Sequence, residues 1–269
     1  MPTVDANKRL WDGGYNWGRG GDEWSDPWGG TVPQWRFLIL PRIQSFLPAD
    51  TILEIAPGFG RWTSFLSGCC NRLEMVDLSE ACIAACKERF QGLRTMGYHV
   101  NDGYSLGMIG DRSIDFAFSF DSLVHAEADV LDSYLGQLAM KLKPDGVGFF
   151  HHSAMGIHRE ELDAIERIPN QLRSAVVQPR WLIRNHMRAR NVSPAVFEEL
   201  CSKHSLQCIG QEVVNWRESV LTDCFSTFTL RSSSWARENR VIENLEFMRD
   251  AERIKQLASL YMHKKVLEG

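Results

Sequence analysis

The sequence has no excess of positive charge. Its 30 Lys and Arg residues face 34 Asp and Glu, a formal net charge of −4 with a pI near 6.1. A general nucleic-acid binder needs a basic face to neutralise phosphates, so DNA and RNA are not expected partners. Long apolar runs are also missing. The stretch Phe37–Leu40 is closed by Pro41, far short of the ~20 residues a spanning helix needs. The first ten residues lack the apolar core of a secretory signal. No membrane span and a cytoplasmic location are therefore expected. The seven cysteines are odd in number and have no disulfide-framework spacing, which predicts reduced thiols. Cys82 and Cys86 sit four apart on an expected helix, but no His/Cys cluster completes a four-ligand site, so no metal is expected.

What is present is an ordinary share of apolar residues, 44% of 269. That is enough to bury a core for one large domain, or for one domain with a small appendage. Residues 1–50 stand apart. Trp11, Trp17, Trp24, Trp28 and Trp35 lie among Gly13, Gly14, Gly18, Gly20, Gly21, Gly29 and Gly30. Glycine at this density predicts neither regular helix nor strand, while tryptophan at this density is foreign to a disordered tail. An arm that packs its rings onto something satisfies both. It serves either as a lid over a ligand site, which must hinge and exclude water, or as an interface with a second copy of the chain.

From Thr51 the pattern becomes regular. Apolar runs at 51–55, 73–77, 98–100, 114–120 and 147–150 alternate with helical segments, and 206–216 and 222–230 add two more strands. This alternation predicts βαβ units and a parallel sheet covered on both faces. Ser79 and Ser193 are expected helix N-caps, the latter followed by Pro194 in the first turn. Lys143-Pro144-Asp145-Gly146 reads as a turn. Residues 157–200 form a charged helical insertion, and 234–269 read as surface helices that could also pair with a second copy. The expected division is therefore 1–50, 51–233 and 234–269.

The chemistry concentrates at Ile52-Leu53-Glu54-Ile55-Ala56-Pro57-Gly58-Phe59-Gly60-Arg61. An acid inside the first strand is followed by a Gly-x-Gly turn, and Asp77 closes the second strand. Glycines let a ligand approach the backbone, and an acid at the end of strand two bonds ribose hydroxyls. A dinucleotide site would need a third glycine, but Arg61 follows Gly60. Glu54 would also repel a pyrophosphate, which disfavours a nicotinamide oxidoreductase. A negative charge there suits a nucleoside with a positive end.

In these motifs the chain resembles the class I S-adenosylmethionine-dependent methyltransferases, from about Leu53 to Phe150. The resemblance implies a Rossmann-like, seven-stranded, mostly parallel sheet with helices on both faces, and S-adenosyl-L-methionine as cofactor. Glu54-x-Ala-Pro-Gly58-Phe-Gly60 is similar to the first motif, with Ala56 where glycine is usual. Val76-Asp77-Leu78-Ser79 is similar to the second, where the acid holds the ribose. Asn101-Asp102-Gly103 is similar to the third, where an acid or amide takes the adenine amino group. Ser119-Phe120-Asp121-Ser122-Leu123-Val124-His125 is similar to the fourth, under the methionine end of the cofactor.

The acceptor is expected beyond the carboxyl ends of strands four and five, near Asp121, His125, His151 and His152. Successive strand residues face opposite ways; His152 is favoured as the base, with Asp121 and His125 as further catalytic candidates. Trp28, Arg180, His186 and Arg188 are expected to bind substrate, since guanidinium grips carboxylate or phosphate. No Asn-Pro-Pro-Tyr motif and no Asp/Asn cluster for magnesium is present. The aromatic arm and the insertion resemble methyltransferases that tailor sugars, glycans and antibiotic-like metabolites. O-methylation of a sugar hydroxyl is the first expectation and N-methylation of an amine the second. A non-catalytic S-adenosylmethionine-binding module is the alternative from another class.

Overall fold

Alternating apolar runs need a sheet with two dry faces, and the chain supplies one. The computed structural model describes residues 3–93, 95–168, 187–216 and 219–261. Eight strands form one sheet: β1 (Ala49–Ile55), β2 (Cys70–Asp77), β3 (Met96–Val100), β4 (Ile114–Ser119), β5 (Leu142–Ser153), β6 (Leu206–Val214), β7 (Asp223–Leu230) and β8 (Val241–Asn244). The spatial order is β3-β2-β1-β4-β5-β7-β6-β8. The first five pair in parallel. β7 runs antiparallel to both β5 and β6, and β8 is parallel to β6. The sheet is thus mixed and eight-stranded, where seven mostly parallel strands were expected. The extra strand lies where the spacing from 234 onward suggested helix. Its pairing satisfies the free edge of β6, a long-range demand that local periodicity does not carry.

Before the sheet, short helical turns replace the irregular arm expected from its glycines. They include α1 (Val4–Arg9), α2 (Thr31–Gln34) and α3 (Leu40–Ile43). Glycine marks breaks between them: Gly21 and Gly29 flank a 3-10 turn over Asp22–Trp28, both at positive φ. Further along come α4 (Thr63–Leu66), α5 (Glu80–Arg89), α6 (Ala128–Lys141), α7 (Arg159–Glu166), α8 (Pro194–Lys203) and α9 (Phe247–Tyr261). Ser79 caps α5, accepting from the Cys82 amide, and Ser193 caps α8, accepting from that of Val196. The turn expected at 143–146 is instead an irregularity inside β5. Leu142 pairs with Ile114, and regular pairing resumes only at Val147 opposite Phe116.

Each face of the sheet carries its own core. On one, Ile52, Met75, Phe118, Phe149 and Phe225 pack under Trp28, Trp35, Leu38, Ile39 and Phe247. On the other, Leu53, Ile55, Val76, Phe150 and Phe228 pack under α6 and α8 through Leu131, Leu135, Leu138 and Phe197. No helix of the described residues is long and apolar enough to cross a membrane.

Candidate cofactor and acceptor site

A cavity lies at the carboxyl ends of β1, β2 and β4. Its floor is the turn Ile55–Phe59, with Val76, Asp77 and Leu78 from the end of β2 and Phe120–Leu123 from the end of β4. The turn is built for close approach. Gly58 and Gly60 have φ of 58° and 82°, and a Cβ on Gly60 would sit 2.5 Å from the Phe90 ring. Ala56 holds the left-handed conformation too, at φ 57°. The turn therefore keeps its shape and stores strain at Ala56, about 1–2 kcal/mol for a residue with a Cβ. The Ala56 carbonyl accepts from the Ser122 hydroxyl at 2.9 Å, one contact that fixes it.

Asp77 lines the cavity. One carboxylate oxygen accepts from the Gly58 amide at 3.2 Å and the other from the Ser79 amide at 2.9 Å. Burial, opposed by these amides, pushes its pKa up to about 6, so it is ionised at neutral pH. Glu54 lies behind the turn and is not part of the cavity lining. It is 1% exposed and accepts from the Thr63 hydroxyl at 2.6 Å. Burial raises its pKa to about 8, with the Asp77 charge adding to it. Ser119 is likewise behind, donating to the Ile55 carbonyl at 2.8 Å. Phe120 and Gly103 line the cavity, whereas Gly60, Asn101 and Asp102 do not. Asn101 and Asp102 spend their side chains on their own loop: the Asn101 amide oxygen accepts from Gly103 N, and Asp102 Oδ1 accepts from the amides of Tyr104 and Ser105.

The Glu54 shift has a sign that can be tested. A raised folded pKa means the native state holds a proton that the unfolded chain has lost. This contribution is complete below about pH 4.5 and disappears as pH rises through about 8. Glu54→Gln keeps the oxygen that Thr63 needs and removes the titration. We expect the variant to unfold at a higher temperature than wild type at pH 9 and at nearly the same temperature at pH 5. Parallel melting curves across that range would exclude a buried, titrating Glu54.

The arm closes the cavity from above. Trp11, Trp17 and Trp24 line it together with Val4 and Asn7 of α1. Trp17 stacks on Phe59 with ring centroids 4.5 Å apart and planes at 10°. Asp12 accepts from the Ser79 hydroxyl at 2.6 Å, which ties the arm to the end of β2. Trp28 is elsewhere. It is 1% exposed, outside the cavity lining, and packed against Trp216 and Phe247, so the expected substrate contact is corrected to a core contact.

One part of the cavity wall leads into a chain of buried charges. Arg61, which the sequence marked only as the break in a dinucleotide motif, lines the cavity and donates to Asp121 at 2.8 Å. Its guanidinium lies 4.4 Å from the Trp62 ring centroid. Asp121 has φ 65°, and its amide donates to His151 Nδ1 at 3.1 Å. His151 Nε2 meets Asp223 at 3.0 Å, and Asp223 is gripped by Arg188 at 2.6 and 2.8 Å. The Arg188 charge holds the Asp223 carboxyl well below the usual carboxylate range despite its burial. Arg188 is thus an anchor for Asp223 and does not line the cavity. Arg180 and His186 lie outside the described residues.

The parity of β5 corrects the favoured base. His151 points to the face of Phe120 and Trp216. His152 points to the opposite face, stacked on Phe197 at 4.4 Å and bonded to the Ser153 carbonyl and the Ser226 hydroxyl. It is fully buried away from the cavity. His125 does line the cavity. Its Nδ1 is 2.7 Å from the Met187 carbonyl. A carbonyl only accepts, so Nδ1 carries the proton and the lone pair sits on Nε2. Burial, and then the Arg188 charge, push the His125 pKa down to about 4, so the ring is neutral at physiological pH. Among the described residues no cluster of His, Cys, Asp or Glu is placed to hold a metal ion.

Residues 52–146 match the methyltransferase domain family. No curated protein matches the chain. Among solved structures, a geranyl diphosphate C-methyltransferase from Streptomyces coelicolor A3(2), in complex with Mg2+, geranyl-S-thiolodiphosphate and S-adenosyl-L-homocysteine, superposes with a TM-score of 0.59. It is 12% identical, over 85% of this chain and 98% of that one. The DhpI–SAH complex gives 0.53 at 20% identity, over 84% and 96%. A S-adenosylmethionine-dependent methyltransferase from Clostridium acetobutylicum gives 0.51 at 15%, over 76% and 91%. At these identities the likeness is one of fold. The domain match over residues 52–146 and the shared fold agree with each other, and both point to an S-adenosylmethionine-dependent methyltransferase.

Proposed function

We propose that this enzyme transfers a methyl group to a small molecule, and that an amine is favoured over a sugar hydroxyl as the acceptor. The observation that carries the choice is His125, a neutral imidazole in the cavity wall with its pKa pushed down to about 4. A base of that strength is poorly matched to a sugar hydroxyl at neutral pH. A neutral amine already has its lone pair free and needs only to be held in line.

The residues fit the cofactor. Gly58 has no side chain of its own over the turn, Asp77 offers a carboxylate to ribose hydroxyls, and Leu78, Gly103 and Phe120 provide walls. When bound, S-adenosylmethionine supplies an electrophilic methyl on a sulfonium that leaves as a neutral thioether. The faces of Trp17, Trp24 and Phe120 stabilise positive charge nearby by about 0.5–2 kcal/mol. Residues 1–50 act as the lid that excludes water over the catalytic region 51–233, with 234–269 as an extension. His125 Nε2 accepts a hydrogen bond from the acceptor and turns its lone pair toward the reacting carbon. Alignment by the whole pocket accounts for ~7–11 kcal/mol of a barrier, and this one hydrogen bond is a small part of it. Asp121, fixed by Arg61 and His151, completes the acceptor wall.

The hydroxyl reading keeps one supporting feature, the flat faces of Trp11 and Trp24 in the cavity wall, on which sugars stack. Transfer of labelled methyl to panels of amines and sugars separates the two. We expect amines to be methylated, with His125→Ala losing less than about tenfold in kcat. Labelling confined to sugars, with His125→Ala losing about 10²–10⁴-fold, would make His125 a general base and reverse the choice.

A further inference from the structure

The cavity is chemically divided. Toward one end stand Arg61 and Asp121 with Trp24 and Trp62; elsewhere the wall is Leu78, Gly103, Leu123, Ala126, Val130 and Tyr134. A flat heterocycle with apolar faces suits the second part, provided its polar edge finds a partner. The two side chains that the sequence assigned to that edge are spent. Asn101 Nδ2 donates to the Ser105 carbonyl and the Tyr134 hydroxyl, and its oxygen accepts from Gly103 N. Asp102 accepts from two amides of its own loop. Neither lines the cavity.

Asn7 does. It sits on α1, one turn after Val4, and Val4 closes on Gly103 so tightly that a Cβ there would meet it at 2.6 Å. Asn7 is 7% exposed. Its Nδ2 donates to the His125 carbonyl at 2.9 Å. That carbonyl can only accept, so the amide has one orientation and Oδ1 is the end left over. Oδ1 is buried and has no hydrogen-bond partner among the described residues. Interiors rarely leave such an oxygen unpaired, and on a residue that lines a cavity a ligand N–H is a donor able to satisfy it.

We propose that Asn7 Oδ1 accepts the exocyclic amino group of the cofactor's adenine, so that the arm reads the base in place of the loop after β3. This rests on the cofactor assignment above. The wall that recognises the nucleoside is then not complete until α1 is docked.

Calorimetric titration of the full chain with S-adenosylhomocysteine and with S-inosylhomocysteine, in which a carbonyl oxygen replaces the amino group, tests the idea. Wild type is expected to prefer the adenosyl ligand by about tenfold or more. Asn7→Leu should bring the two affinities within about threefold, mainly by weakening the adenosyl ligand. Asn7→Ala, a smaller side chain, should do the same. Asp77→Ala should weaken both ligands and preserve their ratio. A wild type that does not distinguish the ligands, or Asn7 variants that keep the wild-type ratio, would overturn the assignment of Asn7. Binding of neither ligand by wild type would instead overturn the cofactor reading, and this proposal with it.

Discussion

Asp77→Ala should weaken S-adenosylhomocysteine binding by about 30- to 1000-fold, the equivalent of about 2–4 kcal/mol. The reasoning starts from burial. A carboxylate that is 6% exposed and raised to about 6 is kept in an unfavourable place. Two backbone amides only partly compensate it. Ribose hydroxyls would supply donors to a charged acceptor in a dry site, where such bonds are strongest. Alanine removes them and also frees the Gly58 and Ser79 amides. Asp77→Asn, which keeps an acceptor oxygen, should lose less. Calorimetry reads the affinity, and a melting curve shows that the fold is intact. Unchanged affinity in a folded Asp77→Ala protein would mean that the ribose lies elsewhere.

Arg61→Leu should lower stability by about 3–5 kcal/mol, because it strands Asp121 as a buried carboxylate without its cation. The side chains of the pair are 7% and 8% exposed. The same change removes the Ser25 hydrogen bond and the stack on Trp62. Asp121 is also held at positive φ, so the loss of its anchor frees a strained backbone in the cavity wall. Adding Asp121→Asn to Arg61→Leu should restore part of the loss, since the uncompensated charge disappears. Denaturant melts of the two single variants and the double variant measure the coupling. Additive effects would show that the ion pair has no influence of its own.

The first five strands were readable because each is an apolar run between polar turns, and a parallel sheet covered on both faces writes that pattern directly. Ser79 and Ser193 were readable as caps because a capping hydroxyl acts within three residues. What failed to show depends on distance in sequence. β8 exists because Gln211–Val214 of β6 need partners, and nothing in Val241–Asn244 declares that. Alternation told us that one of His151 and His152 faces the site, but which one depends on the register of β5 against β7. Arg61 finds Asp121 sixty residues away, so it appeared only as an interruption of a glycine pattern. Asp102 matches its motif in identity while its carboxylate serves two amides nearby, a use that identity alone does not reveal. Asn7 had no signal at all: its role follows from the fold of an arm whose glycines argued against helix.

The stack of Trp17 on Phe59 has an optical consequence. Trp17 also lies 3.1 Å from where a Cβ on Gly58 would be, directly over the turn that the cofactor must approach. Any molecule that settles on Gly58 changes the surroundings of that indole. The protein therefore carries tryptophan fluorophores in the cavity wall, Trp17 among them, and a change in emission from the unlabelled chain is expected when the cavity is filled.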